Sequence, residues 1–359
     1  MKKYHAAILG GGFIGKVHTY AYRNLAFYSQ PVPLDVEIKY VVNSRQETAE
    51  AAARLAGGAI PQTDWHVVLD DPEIDIVNIC LPNHLHLEVL KAAIAAGKHI
   101  YCEKPVVLNA AEAAEVMPLL ETYRGVSHVV FHSRFFASVM QAKQMIDDGK
   151  LGKILEFRGC YLQNSHVNPN RPMRWKNLKA SGGGALMDIG SHLIELTDWL
   201  AGPLVEAAAF ASSPVPEDTE RAEDSMAMIW RAQNGAVGTL QASKVAHGTE
   251  NDMTLEIYGT LGAIRFDIQA PHFLEYFDGS KSTSPWGGEA GWTRIAVGNR
   301  YPAPDTDFPA TKSGIGWVRA HATSLAHFLR NVAAGANVDG SPDLRRGLEI
   351  QMLMEKCRG

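Results

Sequence analysis

An acid and an imidazole stand four positions apart behind a run of glycines in Ser181-Gly182-Gly183-Gly184-Ala185-Leu186-Met187-Asp188-Ile189-Gly190-Ser191-His192. If the segment from Ala185 onward is α-helical, Asp188 and His192 share one face. An imidazole beside a carboxylate can take the proton from a hydroxyl as hydride leaves its carbon, which is the base that alcohol oxidation needs. The glycines would let that helix start close against another backbone. Taken alone, the pair reads equally as an ordinary helical ion pair.

Two further segments supply what such a base would serve. Gly10-Gly11-Gly12-Phe13-Ile14-Gly15 follows a strand pattern and opens a helix, the context in which G-x-G-x-x-G cradles a dinucleotide. Gly10 allows the tight turn, Gly12 lets backbone approach a pyrophosphate, and Gly15 allows close packing of helix on strand. A generic strand-to-helix turn is the competing reading. Glu103-Lys104-Pro105 follows an apolar strand. A lysine there can hydrogen-bond a substrate hydroxyl, although a surface lysine at a strand end would look the same. The second strand ends in Asn43-Ser44-Arg45 instead of the acid that reads an NAD ribose. That ending favours NADP modestly, with a solvated Arg45 as the alternative. Another strand ends in Leu81 and runs into Pro82-Asn83-His84-Leu85-His86, pointing at the same edge.

The elements that position these residues follow from periodicity. Residues 4–10, 35–43, 74–81, 98–102 and 126–131 read as strands, and 13–27, 45–55, 86–96 and 110–123 as helices. The last helix is expected to kink at Pro118. Strands joined by crossover helices run parallel and put their carboxyl ends along one edge, where ligands bind. After a helix at 136–148 the pattern changes to strands at 152–163, 204–212, 225–233, 236–245 and 253–258, interrupted by a helix at 185–200. Consecutive strands with tight turns such as Asn234-Gly235 imply a mainly antiparallel, open sheet. Residues 271–309, rich in Gly, Pro, Ser and Trp, read as a long surface loop or subunit contact. Helices at 318–333 and 344–354 close the chain. The fold class is therefore α/β: a Rossmann dinucleotide-binding domain over 1–125, then an α/β domain over 126–359 that binds substrate and oligomerises.

Composition narrows the partners. At 359 residues the chain suits two domains. With 34 Lys+Arg against 39 Asp+Glu, a net charge of -5 and no long basic run, nucleic acid is not expected. No apolar run approaches the roughly 18 residues of a membrane span, and no signal-type segment opens the chain. Cys80, Cys102, Cys160 and Cys357 lack metal-ligand spacing and read as buried free thiols of a cytoplasmic protein. Apolar strands at Ala207–Phe210 and Met226–Trp230 would leave a sheet face to cover, so a homodimer or homotetramer through that sheet is expected.

In combination, these motifs resemble the Gfo/Idh/MocA family of sugar and polyol oxidoreductases along essentially the full chain. The resemblance rests on the glycine motif, Pro82-Asn83-His84-Leu85-His86, Gly97-Lys98-His99 leading into Glu103-Lys104-Pro105, Arg134-Phe135, Gly149 to Gly152 and the run from Gly182 to His192. It implies Lys104, Asp188 and His192 as catalytic residues. It also implies cofactor contacts at Gly10, Gly12, Phe13, Ile14, Asn83, His86 and Glu103, beside Asn43, Ser44, Arg45, Leu81 and Lys104 at the strand ends. Asn164, His166, Arg174 and Trp175 fall in a region that reaches the active site in similar proteins. The implied reaction is hydride transfer between a secondary hydroxyl of a sugar, polyol or derivative and NAD(P). Two alternatives stand beside it: a cofactor-dependent glycosidase of related fold, and a non-catalytic NAD(P)-binding sensor or co-regulator.

Overall fold

The structure, a computed structural model, describes residues 3–168, 172–213 and 220–358. The chain divides into two compact units. The first comprises residues 1–132, 301–308 and 317–352, and the second 133–300, 309–316 and 353–359. The first unit therefore runs past the expected boundary at 125 and takes in most of the closing helical segment.

Six parallel strands form the sheet of the first unit: β1 (Lys3–Leu9), β2 (Asp35–Val42), β3 (Ile60–Gln62), β4 (Ile76–Ile79), β5 (His99–Cys102) and β6 (Ser127–Val129). Their spatial order is β3-β2-β1-β4-β5-β6, so the order reverses beside β1. That reversal opens the crevice at the carboxyl edge where dinucleotides bind in such sheets. Burial of both faces explains the continuous apolar runs: β4 has no exposed residue, and Ala6 to Leu9 of β1 are wholly buried. The short β3, with Pro61 at the sheet edge, and a helix at Trp65–Leu69 escaped the sequence reading.

The helices are α1 (Phe13–Tyr28), α2 (Gln46–Leu55), α3 (Trp65–Leu69), α4 (His86–Ala95), α5 (Ala110–Val116), α6 (Ala137–Asp147), α7 (Ser191–Ala201), α8 (Trp317–Ala334) and α9 (Leu344–Arg358). The expected break near Pro118 is real: α5 stops at Val116, and a 3-10 segment covers Met117–Glu121. In the first unit α8 joins the core through Ala322, Leu325, Ala326, Phe328 and Leu329, which pack with Ala21, Tyr22 and Leu25 of α1. Burying each of the larger side chains contributes about 1.5–3 kcal/mol.

The second unit holds an eight-stranded sheet of β7 (Ile154–Leu162), β8 (Leu204–Ser212), β9 (Ser225–Ala232), β10 (Val237–Ser243), β11 (Asp252–Gly259), β12 (Gly262–Asp267), β13 (Phe273–Asp278) and β14 (Trp292–Ala296). The order is β14-β13-β12-β11-β7-β10-β9-β8, with every pair antiparallel except β10 and β7. Strands β13 and β14 lie inside residues 271–309, which correct the expected long loop to a hairpin extension of the sheet. On β9 the residues alternate strictly. Met226, Met228, Trp230 and Ala232 point into the core, while Ile229 is 63% exposed. Ala208 of β8 stands opposite Ile229, and Phe210, 87% exposed, stands opposite Ala227. The outward apolar set is thus Ala208, Phe210, Ala227 and Ile229, and the methionines and Trp230 of that strand belong to the inner face.

Candidate active site

In the first unit the glycine turn is fixed by its neighbours. Gly10 N–H donates to Val42 O (2.9 Å), and Gly11 N–H donates to Asn43 Oδ1 (2.9 Å). Asn43 Nδ2 donates in turn to Thr48 O (2.9 Å). Asn43 therefore braces the turn with both ends of its amide. At Gly15 a Cβ would sit 1.9 Å from the carbonyl oxygen of Gly10, so only glycine lets α1 start this close to β1. Gly12 faces open space, with no atom within 4 Å of where a Cβ would stand, and α1 has no side-chain cap there. An open backbone at an uncapped helix N-terminus fits a dinucleotide pyrophosphate. Phe13 is exposed and lies over Trp317 with ring centroids 5.9 Å apart, and Ile14 packs against the core. Ser44 and Arg45 stand exposed beyond the end of β2.

Further along the same edge, Asn83 is buried in a single 3-10 turn, Asn83–Leu85. His86 is wholly buried. Its Nε2 lies 2.9 Å from the carbonyl oxygen of Leu81, and Nδ1 lies 3.2 Å from that of Val106. Burial pushes the His86 pKa down, against the neighbouring carbonyl groups of Leu81 and Val106, which raise it. The ring ties Leu81 at the strand end to Val106 in the loop after β5. Glu103 is buried at the end of β5: Oε1 lies 3.1 Å from His18 Nε2, and Oε2 accepts from Lys104 N–H (3.2 Å). Lys104 itself is half-buried, and its peptide bond to Pro105 is cis.

Asp188 and His192 lie in the second unit. A π-helical turn, Leu186–Gly190, replaces the expected first turns of α-helix, and α7 continues from Ser191. Ala185 N–H donates to Glu223 O (2.9 Å) and Leu186 N–H to Glu223 Oε1 (3.1 Å), which satisfies donors at the start of the segment. A Cβ at Gly183 would fall 2.4 Å from Lys176 O, so the glycine run lets this start press against the backbone that carries Lys176. Asp188 then takes two ammonium groups: Lys176 Nζ lies 3.0 Å from Oδ1 and Lys244 Nζ 2.6 Å from Oδ2. Lys244 is only 2% exposed, against 47% for the Lys176 side chain. His192 is buried, with its ring centroid 6.2 Å from that of Tyr161. The carboxylate is therefore part of a Lys–Asp–Lys cluster, which the spacing of Asp188 and His192 did not reveal.

A second polar cluster anchors the first. His166 Nδ1 lies 2.5 Å from Asp224 Oδ1, and Arg221 Nε donates to Asp224 Oδ2 (2.8 Å). Burial alone would push the Asp224 carboxyl up, but hydrogen bonds from His166 and Arg221 outweigh it and hold the pKa below the ordinary value. His166 N–H donates to Lys244 O and Lys244 N–H to Asp224 O, both at 2.8 Å. His166, read from sequence as near the substrate, is thus a buried brace for the backbone of Lys244. Asn164 is half-buried just past β7. Arg174 is exposed, and its N–H donates to Asn177 Oδ1 (3.0 Å). Trp175 is half-buried, with Lys176 Nζ 5.5 Å from its ring centroid.

Residues 4–131 match the oxidoreductase family with an NAD-binding Rossmann fold, and residues 139–265 match the GFO/IDH/MocA C-terminal domain. The chain belongs to the Gfo/Idh/MocA family. It is accordingly a nicotinamide-dependent dehydrogenase of the sugar and polyol class. Levoglucosan dehydrogenase of Pseudarthrobacter phenanthrenivorans is 32% identical over 98% of this chain and 95% of its own length. Inositol 2-dehydrogenase of Rhizobium meliloti is 26% identical over 92% of this chain and 89% of its own. Among solved structures, levoglucosan dehydrogenase in complex with NADH and levoglucosan superposes with a TM-score of 0.93 at 32% identity, covering 99% of this chain and 96% of that one. Among the described residues, no helix is long and apolar enough to cross a membrane.

Proposed function

We propose that this family member oxidises a secondary hydroxyl of an anhydrosugar, glycoside or inositol-like polyol, and runs the reverse reduction, with Lys104, Asp188 and His192 as its catalytic residues. The likeness to levoglucosan dehydrogenase over nearly the whole of both chains carries the substrate class. The Lys–Asp–Lys cluster supports the catalytic assignment, because two ammonium groups favour an ionised Asp188. When bound, the nicotinamide supplies the hydride acceptor. Gly10, Gly12 and the start of α1 would hold its pyrophosphate, with Phe13, Ile14, Leu81 and Asn83 along the same edge. Lys104 donates a hydrogen bond to the reacting hydroxyl and steadies the oxygen as negative charge develops. His192 accepts the hydroxyl proton, and Asp188, held by Lys176 and Lys244, orients the reacting groups. Asn164, Arg174 and Trp175 contribute to substrate choice.

Exposed Ser44 and Arg45 at the end of β2 support NADP binding at least as tight as NAD, since a hydroxyl and a guanidinium suit a 2'-phosphate. The outward apolar set on β8 and β9 supports a homodimer or homotetramer built on that sheet. Four free cysteines, three of them buried, suit a reducing compartment such as the cytoplasm. The test is a panel of levoglucosan, glucosides and inositols with NAD or NADP, followed by the absorbance of reduced nicotinamide. Sustained reduction with one of these substrates is expected. Binding without turnover across the panel would favour a sensor, and bond cleavage without accumulation of reduced cofactor would favour a glycosidase.

A further inference from the structure

One buried cluster joins Glu103, an expected cofactor contact, to two histidines that the proposed reaction does not use. His18 on α1, Glu103 at the end of β5 and His321 on α8 each present a ligand-type atom, all within 4.8 Å of one another. The three residues are 1%, 7% and 1% exposed. His18 and Glu103 are already oriented. Cys80 Sγ lies 3.2 Å from His18 Nδ1, leaving Nε2 toward Glu103 Oε1, while the second oxygen of Glu103 accepts from the Lys104 backbone.

His321 is the anomaly. Neither ring nitrogen has a hydrogen-bond partner, although the ring is fully enclosed between His132, stacked at 4.3 Å, and Trp317, edge-on at 4.4 Å. A buried polar atom left unsatisfied costs about 1–3 kcal/mol, so a neutral imidazole in this state calls for a partner. An imidazole nitrogen without a hydrogen-bond partner can present a lone pair, the form a metal ion requires.

We propose that His18, Glu103 and His321 form a binding site for a divalent transition metal of the zinc class. Two imidazoles and one carboxylate are a zinc donor set that leaves a fourth position open. With bonds of about 2.0–2.2 Å, tetrahedral donors stand roughly 3.4 Å apart. His18 and Glu103 are at 3.1 Å, so modest side-chain rotation, chiefly of His321, closes the set. Cys80 and the Lys104 N–H then serve as the outer partners that fix ligand orientation. A buried water is the competing occupant.

The test uses the full-length protein with any affinity tag removed, stripped with chelator and titrated with Co2+, read by visible d–d absorption and by metal analysis after gel filtration. One equivalent per chain is expected, displaced by Zn2+. His321→Gln and His18→Gln should each weaken binding at least about tenfold, while His66→Gln, an exposed histidine, should not. Circular dichroism checks that each variant folds, and Glu103→Gln provides a third ligand test if a histidine variant does not. Substoichiometric Co2+ uptake by the wild type, or undiminished uptake by folded ligand variants, would overturn the proposal and leave water as the occupant. The readout is independent of turnover, so the fate of the dehydrogenase reading does not decide it.

Discussion

Replacing Asp188 by Asn keeps the side-chain shape and removes the charge that faces Lys244. Lys244 is 2% exposed, and its ammonium lies 2.6 Å from Asp188 Oδ2. Breaking a buried ion pair by removing one partner costs about 3–5 kcal/mol, because the other charge stays behind. The Asp188 side chain is 18% exposed, and an Asn oxygen still accepts a hydrogen bond, which puts the expected loss at the low end, about 3 kcal/mol. The exposed partner Lys176 adds at most about 1 kcal/mol. For a unit of this size each kcal/mol moves the melting temperature about 2–4 °C, so a drop of about 6–12 °C is expected. Adding Lys244→Met removes the stranded charge. The double variant should recover much of the loss, with a coupling energy of at least about 1 kcal/mol. Scanning calorimetry of the four proteins in this cycle measures it. A melting temperature unchanged in Asp188→Asn, or simple additivity in the double variant, would refute the assignment of Lys244 as the buried counter-charge.

Three other outcomes follow from particular groups. Arg45→Ala should weaken NADP by about 1–3 kcal/mol while leaving NAD unchanged, measured by fluorescence titration; equal effects on both would remove Arg45 from the 2'-phosphate. Ile229→Arg, which sets like charges on the outward face of β9, should convert an oligomer to monomer in light scattering, and a monomeric wild type would contradict the sheet interface. Asp224 titrates below its ordinary value in the fold, so its stabilisation is present above the unfolded carboxyl pKa, about 3.9, and is lost as pH falls through the depressed folded value. Melting temperature should therefore fall steeply below pH ~4, less so in Asp224→Asn, and an unchanged slope in that variant would refute the contribution.

Local patterns were legible in the sequence where the answer was local. The glycine motif and its flanking strand and helix are as read, because Gly15 answers a steric demand set by Gly10 a few residues away. Strands β13 and β14 escaped because Gly, Pro and Ser in the connection between them masked two short runs. Asp188 and His192 were recognisable as a pair, but α-helical spacing does not foresee the π turn at Leu186–Gly190. Lys244 could not be found from spacing, since tertiary folding alone brings the end of β10 to Asp188. The expectation of a cofactor contact rests on a strand-end position for Asn43 and on the family resemblance for His86. In the fold their polar atoms meet backbone groups, whose need for partners is invisible in a list of residue types.

The claim that this chain performs proton transfer beside a nicotinamide cofactor rests on Lys104 and His192. The most direct measurement is steady-state turnover of Lys104→Met and His192→Ala on the best substrate of the panel, paired with cofactor titration and a melting curve for each variant. General acid–base groups contribute about 100 to 10,000-fold. Each variant should therefore lose at least about 100-fold in kcat while binding cofactor and melting nearly as the wild type does. Near wild-type turnover in Lys104→Met, with its fold and cofactor binding intact, would contradict the account.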